Sequence, residues 1–456
     1  MFRRLLVANR GEVAVRIART CRRLGVSPVA VCSEADRGAP WLEEFDQAIT
    51  IGPSHPVRSY LDQSAILEAA RLADCQAIHP GWGFLAENAT FAARVRQLQL
   101  AFVGPPPGAI RLMGDKVAAR QTAARAGLPT IPGSDGLVTD AAEAKAVAEA
   151  VGFPVLLKAT AGGGGRGMRR VDEPAELEAA FREASREAAA AFGDGGLYVE
   201  KLIEGGRHIE FQVLVDDYGR AIHLGERECS VQRRHQKLIE EAPSPALDPD
   251  TRAEYGARAA QAAAAIGYRS AGTVEMLRDA DGHLYFMEMN TRLQVEHPVT
   301  EEVTGIDIVE QQLRIAAAEP LRIAQDDVRL DGHAIEARLN AEDVARDFRP
   351  SPGTIAAFEI PCDLGPGRVR IDTHVRAGAV VPPHYDSLIA KVIAHGRTRG
   401  EAIETLRRAL AGARIEGVPT TIPAHLAVLD DDAFRAGTYD TTIVERLRLV
   451  DAAGGG

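Results

Sequence analysis

Apolar positions follow two rhythms along the chain, and the switches between them predict the elements. The buried run over 4–8 reads as a strand, Val13, Ile17 and Leu24 share one side of a helix over 12–24, and 28–32 reads as a second strand. The pattern returns in a helix over 64–72, a strand over 76–79 and a short strand over 101–104 that stops at Pro105-Pro106-Pro107. Strands separated by helices build a parallel sheet, which the first 110 residues or so would form. Ala-rich helices over 117–126 and 141–151 then lead to a strand over 154–159, a glycine run and a strand starting at Met168. Beyond Leu197 strand-like alternation dominates, broken by a helix over 253–266. From about Gly332 strands over 333–339, 369–373 and 388–395 mix with a helix over 401–411, and 451–456 reads as a frayed tail.

The length of 456 residues allows two to four domains with a core that needs no staples. A net charge of -11 argues against nucleic acid or an anionic membrane as the main partner, so any phosphate must be held locally. Five scattered cysteines without a CxxC pair suggest neither a disulfide framework nor a zinc site. The N-terminal apolar run is too short for a signal sequence, and no stretch approaches the roughly 18 apolar residues of a membrane span. A cytoplasmic protein is the expectation. Only six lysines, Lys116, Lys145, Lys158, Lys201, Lys237 and Lys391, stand against 47 arginines; each is a candidate for a place where a compact ammonium is needed, and survival by chance is the plainer alternative.

The first strand-to-helix turn, Asn9-Arg10-Gly11-Glu12, is not GxGxxG, so dinucleotide binding is poorly supported. The run Lys158-Ala-Thr-Ala-Gly162-Gly163-Gly164-Gly165-Arg166-Gly167-Met168 lets backbone N–H groups close around phosphate oxygens, and a strand after it makes it a hinged flap rather than a Walker A loop. A merely flexible hairpin is the plainer alternative. In Glu288-Met-Asn290-Thr-Arg292-Leu-Gln294-Val-Glu296 polar groups fall at every second position, so an extended chain would turn all five to one face. Hard oxygens on Glu288 and Asn290 suit Mg²⁺, with Glu275 joining across a hairpin; a solvated edge strand would show the same alternation. The basic run Gln232-Arg233-Arg234-His235-Gln236-Lys237 reads first as a solvated, salt-bridged face.

Taken together, six stretches in order resemble biotin carboxylase, of the ATP-grasp superfamily, over nearly the whole chain. They are Ala8-Asn-Arg-Gly-Glu12, His79-Pro-Gly-Trp-Gly-Phe-Leu85, Met113-Gly-Asp-Lys116, the glycine run, Gln232–Lys237 and Glu288–His297. The resemblance implies an α/β fold: a Rossmann-like N-terminal domain over 1–112, an ATP-grasp domain over 113–330 with a mobile flap at about 131–203, an α+β C-terminal domain over 331–446 and a tail over 447–456. It implies ATP on Lys116 and Lys158, with Glu200, Lys201, Ile203, His208, Gln232 and His235 around the nucleotide and Gly162, Gly163, Gly164, Gly165 and Gly167 over its triphosphate. Glu275, Glu288 and Asn290 would hold Mg²⁺ or Mn²⁺. Lys237, Arg292, Gln294 and Val295 would place bicarbonate, Glu296 would be the general base, and Arg338 would face the biotin ureido oxygen.

The implied reaction is ATP-dependent carboxylation of biotin through carboxyphosphate, in a homodimer; acetyl-CoA carboxylase in fatty acid synthesis is the favoured setting, while propionyl-CoA, pyruvate and urea systems share the same component. Trp82 stands where the family commonly has Tyr, beside the expected biotin site. No Ala-Met-Lys-Met biotinylation motif occurs, so biotin would arrive on a separate carrier protein, with a carboxyltransferase as further partner. Another ATP-grasp ligase joining carboxylate to amine is the rival enzyme reading, and a catalytically silent nucleotide-binding subunit is the rival of a different class. Four of the six lysines fall in the implied site; Lys145 reads as a surface helix residue and Lys391 has no assigned role.

Overall fold

Five parallel strands form the N-terminal layer, ordered Gln47–Gly52, Ser27–Ser33, Arg4–Val7, Ala77–His79, Ala101–Phe102. The order reverses at the central strand, as in doubly wound sheets. The computed structural model describes residues 1–160 and 167–447; Gly162, Gly163, Gly164 and Gly165 lie outside the described residues. The helix Gly11–Arg23 follows the first strand and is buried along most of its length. It starts at Gly11 with φ +69, a left-handed conformation in which a Cβ would also lie 3.6 Å from the His374 ring. The Asn-Arg-Gly-Glu turn thus packs against the C-terminal part of the chain.

The largest sheet has eight antiparallel strands, in the order Leu284–Asn290, Ser270–Arg278, Arg207–Val215, Ala221–Arg233, Gln236–Ala242, His333–Asn340, Leu388–Gly396, Arg368–Thr373. It runs unbroken from the central region into the C-terminal strands, because Gln236–Ala242 pairs with His333–Asn340. The last strands divide by face, since cross-strand partners share a side. Ala337 faces Val392 and Leu339 faces Ala390 in an apolar layer shared with the helix Arg399–Ala411. The opposite face sets Arg338 beside Lys391 and Lys391 beside Asp372.

A separate three-stranded sheet, Met168–Val171, Val155–Ala159, Leu197–Lys201, carries the glycine run between its first two members. Elements beyond the sequence expectation include the strand Gln47–Gly52 and the helices Leu177–Phe192, His297–Thr304 and Ile308–Ala316. The second packs Leu177, Ala184 and Ala188 on the small sheet at helical spacing, and Gly193 in the left-handed region ends it. All five cysteines are free, and no helix among the described residues is long and apolar enough to cross a membrane.

Candidate active site

A single row of charged residues runs in register across four strands of the large sheet. Glu288 faces Glu275, Glu275 faces Glu210 and Glu210 faces Arg227, which places all four on one side. Arg227 is fully buried and holds Glu210 at 2.5 Å, Gln212 at 2.8 Å and Thr300 at 3.0 Å. This fixed guanidinium lets acids crowd together without leaving the centre uncompensated.

Lys237 closes the row. A two-residue hairpin at Arg234 and His235, with φ of 48° and 64°, turns Ala221–Arg233 into Gln236–Ala242 and sends the lysine back over the sheet. Its Nζ lies 2.6 Å from Glu210, 3.1 Å from Glu275 and 2.6 Å from Glu296. Burial opposes its charge, but Cys229 and these three acids outweigh that and raise its pKa well above the usual lysine range. Glu296 is 1% exposed, and its second oxygen accepts from Arg338 Nη2 at 2.9 Å. Burial works to raise this carboxyl, yet Lys237, Arg338 and Arg227 hold it well below the ordinary carboxylate range. Arg338 is also paired with Glu240, whose carboxyl is pushed up to about 7 by burial against the pull of Arg338.

The basic run therefore divides in two. Arg233 and Arg234 pair with Asp347 at the surface, as a salt-bridged face would, whereas Lys237 enters the centre. The expected alternation over 288–296 is also corrected. The strand ends at Asn290, and 291–296 form a loop ahead of the helix His297–Thr304, with Pro298 in its first turn. Folding of the loop, not pleating, gathers the side chains. Arg292 donates to Asn290 at 3.0 Å and to Gln294 at 2.8 Å. Glu87, which carries no motif signal, anchors this loop by accepting from Arg292 Nε at 2.8 Å and from the Thr291 N–H at 3.0 Å.

The expected metal ligands meet across the hairpin. Glu288 lies exposed on the cleft wall, where the surrounding protein and the Glu275 carboxylate push its carboxyl up. Two facing carboxylates with an amide beside them suit a hard divalent cation. Asn290 donates Nδ2 to Glu275 at 2.8 Å, so presenting its oxygen to a metal requires the amide to turn over. His208 lies 3.1 Å from Glu275 on the same wall; burial opposes its protonation, but Glu275 raises its pKa.

On the small sheet, Lys158 donates to Glu200 at 2.6 Å, and Lys201 donates to the Gly152 and Phe153 carbonyls at 2.9 and 2.8 Å. Lys116 opens the helix Lys116–Arg125, capped by Asp115, and lines a cleft with Arg120, Ser134 and Tyr198. Burial and the nearby Lys158 lower the pKa of Lys116, as two cations poised for one polyanion would be. Gly167 has φ +75 at the base of the flap hairpin, and Ile203 lies just beyond Leu197–Lys201. Gln232 is half-buried beside the hairpin turn, while His235 is exposed at its tip and is not drawn into the charged centre. Trp82 packs on the N-terminal core, where its carbonyl accepts from Asn9 at 2.7 Å; no hydrogen bond joins it to Arg338 among the described residues.

Facing carboxylates and paired lysines stand beside a separate three-stranded sheet, and residues 115–324 match the carbamoyl-phosphate synthase L chain ATP-binding domain family, which makes the protein an ATP-grasp ligase. Residues 1–110 and 336–446 match the N-terminal and C-terminal biotin carboxylase domains. The chain is 52% identical to a biotin carboxylase of Nostoc sp. over 446 residues, covering 98% of this chain and 99% of that one. It is 50% identical to biotin carboxylase 1 of Bacillus subtilis, covering 98% of each chain. Among solved structures, the biotin carboxylase domain dimer of Hydrogenobacter thermophilus 2-oxoglutarate carboxylase, in complex with MgADP, ADP and bicarbonate, superposes with a TM-score of 0.93 at 48% identity, covering 99% and 98%. A Campylobacter jejuni biotin carboxylase complex with a β,γ-ATP compound gives 0.93 at 46%, covering 98% and 99%. The chain belongs to the biotin carboxylase family.

Proposed function

We propose that this chain carboxylates biotin presented by a separate carrier protein, using ATP and bicarbonate. The observation that carries the reading is Glu296, a buried carboxylate clasped between Lys237 at 2.6 Å and Arg338 at 2.9 Å beside the Glu275 and Glu288 pair. Bicarbonate entering between Lys237 and Arg292 takes a share of the cations that depress Glu296, which raises the basicity of that carboxylate at the moment it is needed. Glu296 then accepts the bicarbonate proton as the bicarbonate oxygen attacks the γ-phosphorus and ADP leaves, giving carboxyphosphate. Lys116 and Lys158 hold the phosphates in line. Glu275 and Glu288 would hold a divalent cation, which would supply neutralisation of the polyphosphate charge. Carboxyphosphate separates into CO₂ and phosphate, the phosphate removes the biotin N1 proton, and the nitrogen bonds to CO₂. Arg338 stabilises the enolate oxygen of the ureido group while this happens.

The acyl acceptor takes no part in these steps, so the carboxyltransferase partner selects it. We assign the chain to an acetyl-CoA carboxylase and to a homodimer; the named dimer of the Hydrogenobacter relative supports the second point. The deciding experiment is ADP release with Mg-ATP and bicarbonate, with and without free biotin. Stimulation by biotin is expected, and a folded, ATP-hydrolysing sample indifferent to biotin would overturn the reading. Recovery of a biotinylated carrier and an acetyl-CoA-using carboxyltransferase with the chain tests the assignment of the complex.

A further inference from the structure

The loop that ends in Glu296 is held from behind by a lysine that the reaction steps do not use. Lys391, on the strand Leu388–Gly396, is completely buried and donates from Nζ to the Val295 carbonyl at 2.9 Å. The same ammonium lies 2.9 Å from Glu12 and 3.9 Å from Asp372. The Glu12 contact is ionic, its angle outside hydrogen-bond geometry, so the aligned bond of Lys391 goes to the carbonyl. Glu12 belongs to the first helix, Asp372 to the neighbouring strand, and Val295 to the loop. One ammonium therefore joins three parts of the molecule at a single point.

A buried ammonium is expensive in desolvation, and its pairing with Glu12 and Asp372 offsets that. Stability alone does not require this arrangement, since an apolar trio of similar volume would pack as well. What an apolar trio lacks is a donor for the Val295 carbonyl. The peptide bond is planar and trans, so fixing that carbonyl also fixes the direction of the Glu296 N–H and the placement of the Cα from which its side chain springs. The planar fork of an arginine is built for two parallel acceptors, and here one carbonyl must be met by a point charge. Arg338, the cross-strand partner of Lys391, grips the Glu296 carboxylate from the same sheet face. The two cations thus hold one residue by its backbone and by its side chain.

We infer that Lys391 is a positioning residue for bicarbonate: by clamping the Val295 carbonyl it aims the Glu296 carboxylate between Lys237 and Arg338. This rests on the carboxylase reading above. Lys391→Met alone strands Glu12 as an unpaired buried carboxylate, so the informative comparison is Glu12→Gln against Glu12→Gln/Lys391→Met in the full-length chain. Glu12→Gln keeps the carbonyl clamp, and its KM for bicarbonate should stay within about twofold of the parent. The double variant should melt within a few degrees of Glu12→Gln, keep its KM for ATP within about twofold, and lose about tenfold or more in kcat/KM for bicarbonate.

Equal bicarbonate kinetics in the two variants, a parallel fall for ATP and bicarbonate, or failure of the double variant to fold would each overturn the inference and leave Lys391 a purely structural residue. A parent that hydrolyses ATP but ignores biotin defeats the carboxylase reading and this inference with it. A parent stimulated by biotin beside a double variant without the split defeats the inference alone.

Discussion

Lys237 and Glu296 are ion-paired at 2.6 Å although 59 residues separate them in the chain. The pair sits where the sheet row Glu288–Glu275–Glu210–Arg227 meets the loop after Asn290. Lys237 has three acidic partners, so it remains neutralised if Glu296 alone loses its charge.

Glu296→Gln should therefore fold normally and bind ATP within about twofold of the parent, while turnover falls about 10³-fold, in the range for loss of a general base. ADP release and nucleotide titration read the two effects separately. A variant that loses ATP binding would mean that Glu296 supports the nucleotide instead.

Glu87→Ala removes the anchor of Arg292 and Thr291 and breaks no hydrogen bond or ion pair within the charged row. Its side chain is 40% exposed, which limits the contribution of the ion pair to roughly 1 kcal/mol. The expected result is a rise of about fivefold in KM for bicarbonate with KM for ATP unchanged. An unchanged bicarbonate KM would show that Arg292 orients itself through Asn290 and Gln294.

Glu288→Gln should raise the free Mg²⁺ needed for half-maximal ADP release by about tenfold and relieve the repulsion from Glu275. Steady-state rates at constant ATP over a Mg²⁺ series test this. A metal dependence identical to that of the parent would remove Glu288 from the ligand set.

A pH effect follows from Glu241, which accepts from His333 at 2.5 Å, from Arg399 at 2.6 and 3.0 Å and from Tyr439. Burial works to raise its carboxyl, but His333 and Arg399 hold it at about 2, against an ordinary 4.5. A carboxyl held below its unfolded value contributes stability that is full above the unfolded pKa and is lost as pH falls through the folded one. The difference corresponds to about 3 kcal/mol, fading between roughly pH 4.5 and 2. Glu241→Gln should lower the melting temperature at neutral pH and flatten its decline in acid. Parallel slopes for the two proteins would assign the acid sensitivity to other carboxylates.

Much of the frame was legible. The helix over 141–151 and the strand starting at Met168 stand where the patterns put them, because each is bounded by a clear signal such as the Asp140 cap. The helix Leu177–Phe192 was equally readable from the spacing of Leu177, Ala184 and Ala188, which the strong glycine signal on either side obscured. Reading 288–296 as extended failed for a local reason: its alternation continues through a loop, and only Pro298 marks the turn to helix.

The partners of the site were beyond local reading. Glu210 and Arg227 lie in strands with no distinctive motif, and only sheet register sets them opposite Glu275. Lys391 is similar, a lone lysine in an apolar strand whose polar face is meaningful only beside Arg338. The scarcity of lysine was the one sequence signal pointing to it.

The eight-stranded sheet carries Glu288 on its first strand and Lys391 on its seventh. The strands of Glu288 and Lys391 are therefore parts of one plate, cross-braced by backbone hydrogen bonds between every pair of neighbouring strands. The small three-stranded sheet shares no strand with that plate. Across the plate, the separation of the charged groups Glu288 and Lys391 is thus set by sheet register rather than by loops.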